Sequence, residues 1–448
     1  MADARPFHWE YVPAPVAREV FLIEGGRPLA GSVRVSGAKN AALKLLAAAV
    51  LTGERCRFEN VPEIEDVRVM AETLADLGVV VDHPAPGRYE VASGDVDWLF
   101  VPLEAAARMR ASFILFGPLL SRFGRVIISN PGGDRIGRRP VNLHVDAMRA
   151  LGAEIDYRNG YYFAKAPGRL RGAEVTFPVV TVMGTENAML AATLAEGRTS
   201  IRPAAQEPEV DDLVAFLVEM GAAVERTAPD TIVVEGRRRL RGADHRVIPD
   251  RIEAGTFAIA AAAVGGRVTL EGAPCDLLGA LLDTLGRVGV DVSCGRDTIV
   301  VEGIPPGAGT YRPCDIETAP YPGLATDLQS PTSVLLTRGD GVSHVHETVF
   351  EDRLEWLTEL RRLGARVEIL DSHHATIAGP TPLLGAEVTI PDLRAGASLI
   401  LAALAAEGAS LIHGAHHVHR GYENIDAKFQ QLGARIERLP EIASTPSA

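Results

Sequence analysis

The chain is poor in lysine. Its 448 residues contain only Lys39, Lys44, Lys165 and Lys428, so arginine supplies the other 41 of the 45 cationic side chains. Arginine offers a planar fork that matches phosphate and carboxylate groups, whereas lysine offers a point charge. Most of the 41 read as compositional bias. An excess of positive charge is also absent: 58 acidic residues against 45 basic ones leave a net charge of −13. That balance argues against generic nucleic-acid binding, which needs a basic face, and against electrostatic docking on anionic membranes. The four cysteines (Cys56, Cys275, Cys294, Cys314) lie far apart without a CxxC pair. Zinc and redox motifs are therefore not indicated, and the natural reading is a reduced, cytoplasmic enzyme. No run reaches the ~18 apolar residues of a membrane span. The most apolar neighbourhood, Ala397–Ala406, ends at Glu407. Residues 1–18 carry charge, proline and aromatics but no apolar core of a secretory leader. They read as an N-terminal extension, and Pro440–Ala448 as a frayed tail.

What is present is ordinary globular composition, 47% hydrophobic and 23% charged. At about 150 residues per domain, the length predicts two or three domains. A phrase recurs six times: a helix-like run, an apolar residue, glycine, then a short strand. It reads MAETLADLGVVVD, HVDAMRALGAEID, DLVAFLVEMGAAVE, ALLDTLGRVGVDVS, WLTELRRLGARVEI and IDAKFQQLGARIER. Its glycines are Gly78, Gly152, Gly221, Gly289, Gly364 and Gly433, about seventy residues apart. In one copy Leu213, Val214, Phe216, Leu217 and Met220 recur at helical spacing, giving one buried stripe. The glycine suits a left-handed cap at the helix C-terminus. Upstream in each unit lies an Ala/Leu-rich segment, such as Asn187–Glu196 or Ala254–Val264, expected to form a buried helix. The end units resemble the middle ones, which disfavours a solenoid with polar caps. Two closed groups of three units are expected, joined near residues 240–250, with a ligand cleft between them.

Several segments carry chemistry-bearing residues. Ser36-Gly37-Ala38-Lys39-Asn40 precedes an Ala/Leu-rich helix, so backbone N–H groups and one ammonium make an anion site. A surface lysine explains that segment equally well. Asn130–Pro140 holds three glycines, two prolines, and Arg135, Arg138 and Arg139 around Asp134. It reads as a solvated turn or as a lid that closes over an anion and brings Asp134 with it. Asp327 follows a turn-rich stretch and is either a helix cap or a general base. Arg353, Arg394 and Arg420 stand beside acidic neighbours and are open to reading as surface ion pairs of little energetic value. His416, His417 and His419 lie close together, but on a strand adjacent side chains point to opposite faces, so no metal site is expected.

Taken together, the motifs resemble the enolpyruvyl transferases. They are SGAKNAA (36–42), MRAS (109–112), PGGDxIGxRPVxLH (131–144), GTEN (184–187), EPE (207–209) and DRIEAGTF (250–257), followed by TDLQ (326–329), ETVFEDR (347–353), DLRAGAS (392–398) and HRGYE (419–423). The resemblance spans about Phe21 to Glu437. It implies an α/β fold of two inside-out, barrel-like domains, each made of three βαβαββ repeats, with the ligand cleft between them. Residues 19–38 plus 249–440 would form one lobe and 39–248 the other, with 441–448 as a tail.

The implied reaction moves the enolpyruvyl group of phosphoenolpyruvate to the 3-hydroxyl of UDP-N-acetylglucosamine, with release of phosphate, as the first committed step of peptidoglycan synthesis. No metal or organic cofactor, nucleic acid or membrane partner is implied, and the chain is expected to be a cytoplasmic monomer. By resemblance Lys39, Arg139 and Arg420 would hold the phosphoryl end, and Arg353 and Arg394 the carboxylate. Asp327 would take the hydroxyl proton, and Asp134 would be the general acid. Asn40, Arg110, Arg139, Pro140, Val141, Asn142, Leu143, Thr181, Val182, Met183, Gly184 and Val349 would bind the nucleotide sugar. Many relatives carry Cys where this chain has Asp134, and the antibiotic fosfomycin alkylates that thiolate, so insensitivity is expected here. Asn142 stands where Asp is usual, Gln206 where Arg is frequent, Val179 where some members have Lys, and Ala325 where Pro is usual. The alternatives are a paralogue acting on another nucleotide or nucleoside hydroxyl, the sister synthase acting on shikimate 3-phosphate, and a catalytically silent binding paralogue.

Overall fold

The computed structural model describes residues 19–441 except 95, 97 and 306. The expected N-terminal extension 1–18 and residues 442–448 of the expected tail lie outside the described residues. Pro440 itself is paired with Glu19 on the edge of a sheet, and Glu441 accepts a hydrogen bond from His413 at 2.8 Å. The start of the expected frayed tail is therefore tied down.

Six four-stranded sheets repeat one arrangement. A short strand lies parallel to the next, and an antiparallel pair completes the sheet. In the unit around Gly221, Glu174–Thr176 runs parallel to Arg198–Arg202, which pairs with Thr231–Glu235 and then Ala223–Ala228. Two helices accompany each unit. The amphipathic one is the helix of the recurring phrase. The six glycines follow it with φ between +89° and +99°, the left-handed cap that a β-carbon would strain.

The second helix of each unit is buried all round. Every residue of Arg251–Val264 is buried, and so is nearly every residue of Lys39–Ala48 and Leu393–Ala405. Alanine-rich sequences permit this, because small side chains let three helices meet inside a shell of sheets. Arg251–Val264, Thr326–Leu336 and Leu393–Ala405 pack on one another in this way. Helices lie inside and sheets outside, the arrangement the resemblance implies.

Two apolar cores result. One gathers side chains from Ala38 to Val247, the other side chains from Phe21 to Val35 and from Ile252 to Ile436. The chain passes between them at two adjacent crossings. There Ala38 N–H donates to Ile248 O at 2.7 Å and Asp250 N–H to Ser36 O at 2.8 Å. No helix among the described residues is long and apolar enough to cross a membrane.

The cysteines correct the sequence reading. Cys275 and Cys294 form a disulfide, while Cys56 and Cys314 are free and buried. The helix Gly279–Val288 turns the chain back, so that the strand Asp291–Cys294 ends beside the turn Cys275–Leu278. The Cα atoms come within 6.1 Å, inside the range a disulfide spans. Spacing along the chain does not reveal that return. His416 and His417 also differ from expectation: they begin a short helix, His416–His419, rather than lying on a strand, with ring centroids 4.2 Å apart.

Candidate active site

Charged side chains that are far apart in sequence meet where the two cores face each other. Lys39 begins the buried helix Lys39–Ala48, and its Nζ is 2.8 Å from Asp66 Oδ2. Asp66 also accepts from Arg420 Nε at 3.0 Å, and Arg420 Nη1 reaches Asp134 Oδ1 at 2.5 Å. Beside this chain, Asp327 accepts from Arg353 at 3.0 Å and from Arg394 at 2.9 Å. Lys39, Arg353 and Arg394 are 6%, 3% and 5% exposed. The three arginines therefore do not pair with their sequence neighbours at the surface. Arg353 and Arg394 are buried and Arg420 is half-buried, all three on carboxylates brought from elsewhere, where a buried pair is far costlier to break than an exposed one.

Each position has a local cause. Asp250 caps the helix Arg251–Val264 through the N–H groups of Ile252 and Glu253, and its other oxygen takes the N–H of Lys39 at 3.0 Å. One carboxylate thus caps one helix and anchors the start of another. Asp392 caps Leu393–Ala405 through the N–H groups of Arg394 and Ala395, which fixes Arg394 at a helix N-terminus. Asp327 lies in the first turn of Thr326–Leu336, two residues beyond Ala325 at the cap. It is held by arginines and does not cap the helix. Glu347 accepts from the N–H groups of Val349 and Phe350, shaping the turn that presents Phe350. The guanidinium groups of Arg139 and Arg353 both lie over the Phe350 ring, at 5.3 and 5.8 Å.

The loop that carries Asp134 is docked on both sides. Gly132 N–H donates to Ala106 O at 2.9 Å, and Asp352 N–H to Ile136 O at 3.3 Å. At Gly137 the backbone adopts φ +141°, which a β-carbon would strain, and the loop there lies against Glu351. Arg110 donates to the carbonyl of Arg139.

The cluster perturbs its own protonation. Burial holds Lys39 below its ordinary pKa, helped by Arg394 and Arg420 and opposed by Asp66. For Asp66, burial pushes upward, but Lys39 and Arg420 outweigh it and hold the carboxyl below its usual value. Burial likewise pushes Asp327 upward, yet Arg394 and Arg353 hold it well below the usual carboxylate range. Burial lowers Arg139, against Asp134, and lowers Arg110 to about 10, helped by Arg139. The site is a set of closely spaced cations in which Asp66 and Asp327 are kept ionised, and incoming anions would compete for those cations.

Lys39, Asp134, Asp327, Arg353, Arg394 and Arg420 thus come together, with Arg139 stacked beside them. Pro140, Val141, Asn142 and Leu143 lead into the helix Asn142–Ala150. Thr181–Gly184 opens the helix Val182–Ala192, where Thr181 Oγ1 accepts the Gly184 N–H at 3.3 Å. The two helices touch through His144 and Asn187, whose side chains are 3.1 Å apart. Asn40 is half-buried next to Lys39, and Val349 is exposed beside Phe350. Among the described residues, no side-chain hydrogen bond or ion pair ties Asn40, Val349 or Thr181–Gly184 to the ion cluster. Sequence reasoning missed Asp66, Asp250, Asp392 and Glu347. Asp66 looks like an ordinary acidic residue of a first helical turn. Asp250 and Asp392 carry a cap signature that says nothing of the lysine or arginine they hold. Among the described residues, no group of three His, Cys, Asp or Glu side chains is arranged to hold a metal ion.

This charge constellation on a doubled three-repeat fold defines a carboxyvinyl (enolpyruvyl) transferase. The family model for EPSP synthase (3-phosphoshikimate 1-carboxyvinyltransferase) matches residues 23–429, so the chain belongs to that family. Within it, the chain is 45% identical over 424 residues to the UDP-N-acetylglucosamine 1-carboxyvinyltransferase of Acinetobacter baylyi, covering 94% of this chain and 99% of that one. It is 46% identical over 428 residues to the protein of the same name from Methylocella silvestris, covering 93% and 98%. Among solved structures, the enolpyruvyl transferase NikO from Streptomyces tendae superposes with a TM-score of 0.86 at 27% identity, covering 95% of this chain and 100% of that one. An EPSP synthase from Acinetobacter baumannii, with a TM-score of 0.73 and 18% identity, shares the fold.

Proposed function

We propose that this chain transfers the enolpyruvyl group of phosphoenolpyruvate to the 3-hydroxyl of UDP-N-acetylglucosamine, releasing inorganic phosphate. The observation that carries the reading is the convergence of Lys39, Arg353, Arg394 and Arg420 on Asp66, Asp134 and Asp327, with Arg139 stacked alongside. Two anionic substrates need such a set. The relatives at 45–46% identity support the acceptor.

In this reading Asp327, held ionised by its arginines, accepts the proton of the sugar hydroxyl as its oxygen attacks C2 of phosphoenolpyruvate. Asp134 delivers a proton to C3, giving a tetrahedral ketal that still carries phosphate. The C2–O bond to phosphate then breaks, with its electrons leaving on phosphate. A proton returns from C3 to Asp134, restoring the double bond, and the hydroxyl proton taken by Asp327 leaves on the phosphate. Lys39, Arg139 and Arg420 hold the phosphoryl group, and Arg353 and Arg394 the carboxylate. Because the cations are in place beforehand, little reorganisation is needed as charge moves. Asn40, Arg110, the 139–143 segment, Thr181–Gly184 and Val349 would line the acceptor side. The lobes are assigned as 19–38 plus 249–440 and 39–248, in a cytoplasmic monomer.

Phosphate release from phosphoenolpyruvate tests this directly. Turnover with UDP-N-acetylglucosamine supports it. Turnover only with shikimate 3-phosphate or another nucleoside hydroxyl, or binding without turnover, overturns it.

A further inference from the structure

Three of the four lysines pair with a carboxylate, Lys39 with Asp66, Lys44 with Glu186 and Lys428 with Glu253, and the first two are buried while Lys428 is half-buried. The proposed mechanism uses the first. The second lies five residues further along the same helix. Lys44 Nζ donates to the carbonyl of Asn40 at 2.6 Å, and its other neighbour is Glu186 Oε1 at 3.5 Å. The side chains are 7% and 0% exposed. Neither carboxylate oxygen of Glu186 has a hydrogen-bond partner.

A pair of well-packed apolar residues would serve the fold here as well or better, because burying two charges costs more than their attraction commonly returns. The placement, however, bears on the site. The helix rises about 1.5 Å per residue, so Lys44 sits roughly 7–8 Å behind the helix N-terminus. That N-terminus carries Lys39 and Asn40, so the positive end of the helix dipole lies beside the anion site. We infer that Lys44 and Glu186 are a positioning pair for anionic substrate: Lys44 pins the Asn40 carbonyl and adds positive potential behind the helix N-terminus, and Glu186 is the counter-charge that cancels that potential when ionised.

The surroundings of Glu186 favour its neutral form. Burial is the main cause, Lys44 opposes it, and Glu209 and Glu207 reinforce it, so the carboxyl is pushed up to about 7. Glu209 is itself taken by Arg251 at 3.0 Å. From the helix Asn142–Ala150, His144 reaches the neighbouring Asn187, and burial lowers its pKa to about 3, so it brings no charge. The helix Phe116–Phe123 approaches Asn187 through Gly117, without charge. Below neutral pH the lysine charge is thus uncompensated; above it, the pair is neutral and the anion site loses a positive charge about one helical turn away.

The inference rests on the functional reading for its ligand, and the test separates the two. Titration calorimetry with UDP-N-acetylglucosamine is suited to it, because a diphosphate diester keeps its charge between pH 6 and 8.5. Wild-type protein is expected to bind about three- to tenfold more weakly at pH 8.5 than at pH 6, the effect of one charge at roughly 10 Å in a partly screened medium. Glu186→Gln is expected to keep the tight affinity at both pH values, and Lys44→Met the weak affinity at both. Melting curves check that each variant is folded, and the Lys44→Met/Glu186→Met double variant supplies an apolar pair should either single variant fail to fold. It is expected to bind weakly and without pH dependence. A flat wild-type profile, or a Glu186→Gln or double variant that tracks wild type, overturns the inference. If the wild-type protein takes no UDP-N-acetylglucosamine, the acceptor reading falls. The same comparison with sulfate, doubly charged over this range, then decides the inference by the same criteria.

Discussion

Asp66 is the sharpest place to perturb the cluster, because it is 2% exposed and shared by Lys39 at 2.8 Å and Arg420 at 3.0 Å. Asp66→Asn keeps the shape and removes the charge. At an effective dielectric of about 20, each contact is worth roughly 5–6 kcal/mol in gross Coulomb terms. Most of that is offset by desolvation already incurred, and the net cost of leaving a buried charge unpaired is about 3–5 kcal/mol. Arg420 keeps Asp134 as a partner, so the lower end applies, about 3 kcal/mol. For a unit of roughly 200 residues, that corresponds to about 6–12 °C in melting temperature. The loss is expected to shrink in alkaline buffer, because Lys39, whose pKa burial already lowers, can then shed its proton. Added phosphate is expected to raise the melting temperature of the variant more than that of the wild type, since the anion takes the vacated place and binding stabilises by mass action. Scanning calorimetry with and without phosphate measures both. A melting temperature within 2 °C of wild type in phosphate-free buffer near pH 7, or equal gains from phosphate, would refute the claim that Asp66 neutralises the two cations.

Three further outcomes follow from the same geometry. Asp134→Asn is expected to lower kcat at least a hundredfold while Asp134→Cys retains measurable turnover, and full activity in the Asn variant sinks the proton-donor role. With no thiolate at position 134, incubation with fosfomycin should leave the intact mass unchanged; an adduct on Asp134 would show the carboxylate to be a nucleophile. Glu253 is buried, which pushes its carboxyl up to about 7 against the pull of Lys428. A carboxyl raised in the folded state stabilises below the unfolded pKa of about 4.5, and that contribution is lost as pH rises to about 7, by about 3 kcal/mol at most. Glu253→Gln should flatten this part of the stability profile in urea titrations, and an unchanged slope between pH 5 and 7 counts against it.

The repeat was legible because it is written in local chemistry. A helix that needs a left-handed cap asks for glycine six times, and the apolar stripe before it has one period. The buried helices were legible for the same reason, since alanine all round a helix has few other uses. The disulfide was not legible, because it depends on a helix folding the chain back over nineteen residues. The partners of the arginines were not legible either. Glu351 and Asp352 stand beside Arg353 in sequence, yet its partner is Asp327, 26 residues away. Arg420 finds Asp66 and Asp134 across 354 and 286 residues. Ion pairs carry no periodicity, so their partners emerge only when the two cores face each other.

The net charge of −13 sits oddly with a site for two anions until the carboxylates are placed. Around the site, Asp66, Asp134 and Asp327 stand where anionic substrate groups are proposed to come, each on a guanidinium or ammonium. They keep closely spaced cations tolerable, where mutual repulsion would otherwise lower their pKa values. Substrate binding is then an exchange of one set of anions for another. Such an exchange gives up some raw affinity, because each incoming group competes with a resident carboxylate. In the proposed mechanism it also leaves the displaced carboxylates beside the reacting atoms, where Asp327 would accept a proton and Asp134 would give one. Counter-ion and acid–base roles therefore fall on the same residues, and scarce lysine is spent where a single point charge must be buried rather than a fork displayed.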